Sequence, residues 1–278
     1  MASSKSTVSR CGGTGAGPTY AQVVAILSAS NTLVAQWHLT EGATPYADTS
    51  GFAPADPATE VRQVLATAMT QAYSPGPLTR PGGQKAVAFN FDGTAATGTG
   101  DYLTDACATP ARYQFAANLP FTAIAWVVPF GGAVVHPGPV INTIHGTGIG
   151  GGGAHDDGWR LAVSQPGLIP TFERAANCTA GVPYDTASGA ALSTTAWSML
   201  AGTYDGANIR LYVNGALAAT TASAGAVLGA ATNGQIGIGQ LPLAAGGTWH
   251  YGAVGEASVW SSVLSASAIA QLYTAGTT

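Results

Sequence analysis

TYDGANIRLYVNG, residues Thr203 to Gly215, decides how the rest of the chain is read. It has the form of two strand fragments hinged by an Asp205-Gly206 turn and stopped by an Asn214-Gly215 turn. Side chains alternate along a strand, so Ile209, Leu211 and Val213 share one face and are assigned to the core. Arg210 and Tyr212 share the other face, and they alone in this strand are placed to meet a partner. Asp205 and Asn214 serve turn geometry, because short amide and carboxylate side chains brace tight backbone.

Around this hairpin, composition sets limits. At 278 residues the chain can bury a substantial core, and all-β folds of this size are often single domains. Charged residues make up 8% of it, against roughly 25% in an ordinary soluble domain, and 38 glycines with many Ala, Thr and Ser fill the gap. A net charge of −4 with two lysines leaves no electrostatic footprint for nucleic acid and no polybasic patch for a membrane. No run reaches the roughly 18 apolar residues of a membrane span. Cys11, Cys107 and Cys178 have spacings that fit neither a zinc site nor a disulfide framework; a single bridge would leave one thiol over, and three buried, inert thiols are the simpler reading. The first twenty residues lack an apolar h-region, so no secretory signal is expected there.

Along the chain, residues 1–18 read as an extended arm that a partner would hold in place. Thr19 can cap a short helix with Tyr20, Val23, Val24 and Leu27 on one side. From Leu33 the period becomes two, with Leu33, Ala35, Trp37 and Leu39 on one strand face. Residues 42–84 read as an elaborated loop with a helical insert at 58–72. Strands are expected at 86–91, 102–103, 121–128, 140–144, 159–164, 168–173, 197–204, 209–214, 235–238 and 252–260. Ser265 can cap a last helix that docks Ile269, Leu272 and Tyr273 and is stopped by Gly276. Many short strands without intervening helices predict an all-β jelly-roll sandwich of two antiparallel sheets, with short helices at either end.

Seven pieces in register resemble the concanavalin A-like jelly rolls of the laminin-G-like superfamily, and within it the pentraxin-type domains of bacterial and phage proteins. They are Tyr20–Leu27 with Leu33–Gly42, Ala47–Gly51, Phe89–Gly93, Phe121–Trp126, Trp197–Gly206 with Ile209–Gly215, Gly252–Trp260, and Leu264-Ser265 with the terminal helix. The resemblance spans residues 19 to 275. It implies the fold for one domain, 19–278, preceded by the arm at 1–18. Where such domains bind calcium, it implies ligands from an Asp-x-Ser-Gly loop and from an Asp on the last strand. Asp48 matches the first, but Gly255 stands where the second would be, and Glu256 is a poor substitute on the opposite face. No cofactor or metal is therefore assigned.

Chemistry finds little purchase. Glycoside hydrolysis needs two carboxylates held roughly 5–9.5 Å apart, and none of Glu41, Glu60, Glu173 and Glu256 has an acidic neighbour at strand spacing. The glycine-rich run at 148–158 lacks the lysine of a phosphate loop, and its His155, Asp156 and Asp157 read as a polar hairpin loop. No catalytic residues are assigned. Sugar binding needs an aromatic platform with polar groups beside it; Trp249, His250 and Tyr251 form one before the final strand, joined by Trp159, with Arg210 and Tyr212 as further candidates.

The function expected is a non-enzymatic surface protein of a bacteriophage virion, a capsid decoration or tail component. Its arm would hold other virion proteins, and its jelly roll would assemble as a homo-oligomer and attach to cell-surface glycans. A secreted, extracellular lectin-like module is the alternative.

Overall fold

The computed structural model describes residues 17–30, 32–39, 48–51, 59–61, 87–89, 102–104, 113, 115, 118–131, 137–143, 158–175, 184–223, 236–239 and 250–277. The expectations for residues 1–16, the three cysteines, the 148–157 loop and most of 42–84 lie outside these.

The elements are α1 (Tyr20–Ser30), β1 (Leu33–Trp37), β2 (Thr59–Val61), β3 (Val87–Phe89), β4 (Tyr102–Thr104), β5 (Phe121–Pro129), β6 (Pro137–Asn142) and β7 (Gly158–Ser164). There follow β8 (Ile169–Ala175), β9 (Asp185–Ser188), β10 (Ser198–Tyr204), β11 (Asn208–Val213), β12 (Ala216–Ala222), β13 (Gly237–Ile238), β14 (Gly252–Trp260) and α2 (Ala266–Thr277). They build two seven-stranded antiparallel sheets. The first has the order β1-β14-β5-β10-β11-β12, with β3 also paired to β14; the second has the order β2-β4-β13-β6-β7-β8-β9. The expected sandwich is the one found.

Between the sheets lies the main core. Phe121, Ala123, Ala125 and Val127 of β5 alternate into it and meet Trp159, Leu161 and Val163 of β7. Gly202 of β10 faces this core because a Cβ there would lie 2.2 Å from the Phe172 ring of β8. The intervening residues of the first sheet, Ile124, Trp126, Met199, Tyr212 and Trp260, form a second core under α1 and α2. Both faces of this sheet are therefore covered, which is why all nine residues of β5 and of β14 are buried.

Both helices begin as their sequences dictate. Thr19 Oγ1 accepts from Gln22 N–H while Gln22 Oε1 accepts from Thr19 N–H, a reciprocal capping box. Ser265 Oγ accepts from Ala268 N–H. Ile269 and Leu272 are buried, and the Tyr273 ring stacks on Trp126 with centroids 5.8 Å apart.

Four expectations are corrected. The helical insert at 58–72 gives way at Thr59–Val61 to β2, which pairs with β4; both Thr59 and Val61 are β-branched and suit a strand. Leu33 does not share a face with Ala35 and Trp37, because a bulge between Leu33 and Ala35 turns it toward the helices. Gly276 lies inside the last turn of α2 rather than ending it. Strands β9 and β12 were not expected, yet β12 follows from the hairpin itself. Asn214 and Gly215 have φ of 52° and 80°, a type I′ turn, and such a turn calls for a strand on both sides.

Candidate functional site

The opening hairpin positions its polar groups for structure. Asp205 Oδ1 accepts from the N–H groups of Ala207 (2.9 Å) and Asn208 (2.7 Å), and its Oδ2 accepts from Arg210 at 2.6 Å. Burial alone would push this carboxyl up. The Arg210 guanidinium and the two N–H groups outweigh it and hold the pKa at about 2. Asn214 Oδ1 accepts from Met199 N–H at 2.9 Å. Ile209 and Leu211 enter the inter-sheet core and Val213 packs against it, as the alternation required. Arg210 is half-buried and ion-paired. Tyr212, expected to face a partner, is only 6% exposed and belongs to the core beneath the helices.

The aromatic platform is likewise revised. Trp159 is 1% exposed, with its indole Nε1 donating to the Tyr113 carbonyl at 2.7 Å and its ring against Phe121; it is core. His250 is fully buried, and burial pushes its imidazole down to about 4 against a smaller opposing pull from the backbone of Ala253 and Gly138. It is neutral at physiological pH. Trp249 lies outside the described residues. Tyr251 stays half-buried, its ring edge-on to Phe130 with centroids 5.4 Å apart. The Phe130 N–H donates to the Tyr251 carbonyl at 2.8 Å, and the Phe130 carbonyl accepts from Gln165 Nε2 at 3.1 Å. Gln165 Oε1 is buried with no hydrogen-bond partner among the described residues. The two rings and this amide thus form an aromatic corner with an unused acceptor, at the junction of β5, β14 and the turn after β7. Phe130 and Gln165 escaped the sequence reading because neither is near Tyr251 in the chain.

A second cluster also escaped it. On the outer side of the second sheet, opposite Trp159 and Leu161, Arg160 meets Glu173 through Nε (2.7 Å) and Nη2 (2.5 Å). Thr171 Oγ1 donates to the other Glu173 oxygen at 2.9 Å, and the Arg160 guanidinium lies 5.0 Å from the Tyr184 ring centroid. Arg160 is directly opposite Glu173 in the β7–β8 register, but strand pairing is not visible before the fold is known. Both Glu173 oxygens are thus engaged within the sheet.

The loop where the resemblance placed calcium is tied up internally. Asp48 Oδ1 accepts from the N–H groups of Gln36 (3.1 Å) and Ser50 (3.0 Å). Glu256, on the β14 bulge at φ 49°, lies 2.7 Å from His38 Nδ1, and His38 Nε2 lies 3.2 Å from Thr49 Oγ1. Among the described residues no group of three His, Cys, Asp or Glu could hold a metal ion, and no helix is long and apolar enough to cross a membrane.

The family described as the concanavalin A-like lectin/glucanases superfamily matches residues 97–270. No curated protein matches. Among solved structures the chain is similar to the binding domain of botulinum neurotoxin serotype C1, with a TM-score of 0.56 and 10% identity over 87% of this chain and 51% of that one. It is also similar to botulinum neurotoxin type C, dependent upon interaction with two ganglioside molecules to enter cells (TM-score 0.58, 10% identity, 90% and 52% covered). The receptor-binding domain of botulinum neurotoxin D gives 0.56 at 13% identity, with 87% and 52% covered. The chain spans about half the length of these structures, and at such identity the likeness is one of fold.

Proposed function

We infer the function from one premise: the chain belongs to the concanavalin A-like lectin/glucanases superfamily. It is a non-enzymatic binding module whose ligand is a glycan, received at the aromatic corner of Tyr251 and Phe130. The observation that carries this reading is the pair of half-buried rings, Tyr251 edge-on to Phe130, with the Gln165 amide behind them donating to the Phe130 carbonyl. A sugar supplies both halves of the match, apolar C–H faces for the rings and hydroxyls for the amide. The engagement of Glu173 by Arg160 and Thr171 supports binding without hydrolysis, and so does the ganglioside dependence of the similar neurotoxin.

For the setting we favour the surface of a bacteriophage particle, as capsid decoration or tail component, with the N-terminal arm held by other virion proteins. The support is compositional, a chain with few charges and two lysines. The likeness to toxin binding domains favours a second setting, an extracellular lectin-like module.

A glycan array followed by calorimetry on the best hit tests the binding. Tyr251→Ala should weaken it at least tenfold, whereas Arg210→Ala should leave it unchanged. Binding indifferent to Tyr251→Ala would move the site elsewhere, and an empty array would remove the reading. Mass spectrometry of purified phage particles tests the setting.

A further inference from the structure

The described arginines lie toward one end of the sandwich, and the aromatic corner lies at the other. Arg210 is paired in register with Thr203, and Thr203 with Thr122 near the start of β5. The Arg174 guanidinium is 4.0 Å from the Tyr204 ring centroid, and Tyr204 is paired with Phe121. At about 3.3 Å per residue, Phe121 and Thr122 are roughly 25–30 Å along β5 from Phe130. Arg160 is nearer, four residues before Ser164 on β7, or roughly 13 Å. Each guanidinium is held within the fold: Arg160 by Glu173, Arg210 by Asp205, and Arg174 by Ser223 Oγ (3.0 Å) and Asn118 Oδ1 (2.9 Å). Engaged at such distances, against a Debye length of about 8 Å at physiological ionic strength, they give the corner no cation.

The sequence of the segments that build the corner agrees. Phe130, Gln165 and Tyr251 lie in the runs 113–155, 161–172 and 211–255, none of which contains Asp, Glu, Lys or Arg. A fourth such run, 186–204, supplies the adjoining loop. Leu192 N–H donates to the Leu168 carbonyl at 2.9 Å, which ties that loop to the turn bearing Gln165. Gly131, directly after Phe130, faces Thr194, whose Cγ2 would lie 3.8 Å from a Cβ placed on the glycine. Ser193, Thr194 and Thr195 are exposed, and Ser193 Oγ accepts from Thr195 N–H at 3.1 Å. Beside its rings the corner therefore presents a loop of hydroxyls.

This bears on the class of sugar, and it rests on the reading of the corner as a glycan site. We propose that the corner selects uncharged sugars, with the hydroxyls of Ser193 and Thr194 recognising those of the ligand. A uronic or sialic acid brings a carboxylate that would give up water without gaining a cation. The net charge of −4 opposes it further. A neutral hexose carries no such cost, and its hydroxyls can donate to and accept from Ser and Thr side chains.

Matched neutral and acidic ligands on a glycan array, followed by calorimetry, test this: methyl glucoside against methyl glucuronide, methyl galactoside against methyl galacturonide, and lactose against 3′-sialyllactose. The neutral member of the bound pair should bind at least tenfold more tightly, with little change in affinity between about 50 and 500 mM NaCl. Ser193→Ala and Thr194→Val, both on an exposed loop, should keep the fold and together weaken the neutral ligand at least threefold. Thr194→Arg should narrow the preference by strengthening the acidic ligand. An acidic ligand bound as tightly as its neutral counterpart, and lost in Tyr251→Ala, overturns the proposal and leaves the glycan reading standing. A neutral ligand indifferent to both hydroxyl changes overturns it as well. Binding to no sugar of either kind overturns the glycan reading, and this inference with it.

Discussion

The sandwich closes its two outer faces in opposite ways. Over the first sheet, two uncharged helices seal Trp126, Tyr212 and Trp260 into an apolar layer in which Trp126 Nε1 finds no hydrogen-bond partner among the described residues. Over the second sheet, the outward residues of β7 and β8 include Arg160, Thr171 and Glu173, also buried but held by hydrogen bonds and an ion pair. One face is stabilised by area removed from water, the other by mutual satisfaction of polar groups. The difference matters because the two kinds of closure break differently.

On the polar face the largest effect is expected from Glu173→Ala. It leaves the Arg160 guanidinium buried without its carboxylate, at a cost of about 3–5 kcal/mol. The double change Arg160→Met with Glu173→Leu should restore stability to within about 1 kcal/mol of the native chain, because no charge is then left unpaired. Urea unfolding of the three proteins distinguishes the cases. A cost below about 1 kcal/mol for Glu173→Ala would mean that the pair behaves as a solvated one. On the helical face, Ile269→Ala removes a fully buried side chain and should cost about 2–5 kcal/mol by the same measurement. No second substitution on a neighbouring polar group should rescue it, since the loss is packing alone.

How these faces were read from the sequence differs in the same way. Alternation in TYDGANIRLYVNG correctly sent Ile209 and Leu211 to the inter-sheet core, because a period of two is a local property. It could not say what would cover Tyr212. The covering residues, Tyr20 and Ile269, lie about 190 positions before it and 57 after it along the chain, and they meet it only through the fold. The same limit applies to Trp159 and His250, which are aromatic beside turns and buried nonetheless. Arg160 and Glu173 were invisible as a pair for the converse reason, since the register of β7 on β8 brings together residues thirteen apart. The helix caps at Thr19 and Ser265 were legible because capping is decided within four residues.

The smallest expected effect lies where the helical face ends. Arg210 shares a side of the first sheet with Tyr212 but sits toward the Asp205 turn, and there the ion pair is only partly buried. Asp205 has its pKa held at about 2, below the ordinary carboxylate value of roughly 3.9. A depressed folded-state pKa gives stability that is fully present above the unfolded value and is lost as pH falls toward 2. Asp205→Asn keeps an oxygen to accept from Ala207 and Asn208 and removes the charge facing Arg210. The variant should therefore be less stable than the native chain by about 0.2–1 kcal/mol at pH 7, the range for partly solvated pairs. The gap should shrink below pH 4 and fall to a small remainder near pH 2, where about half of the native carboxyl is protonated. Urea unfolding at pH 7, 4 and 2 measures it. A gap that persists unchanged at pH 2 would assign the role of Asp205 to turn geometry alone, and the ion pair at the edge of the helical face would then contribute nothing measurable.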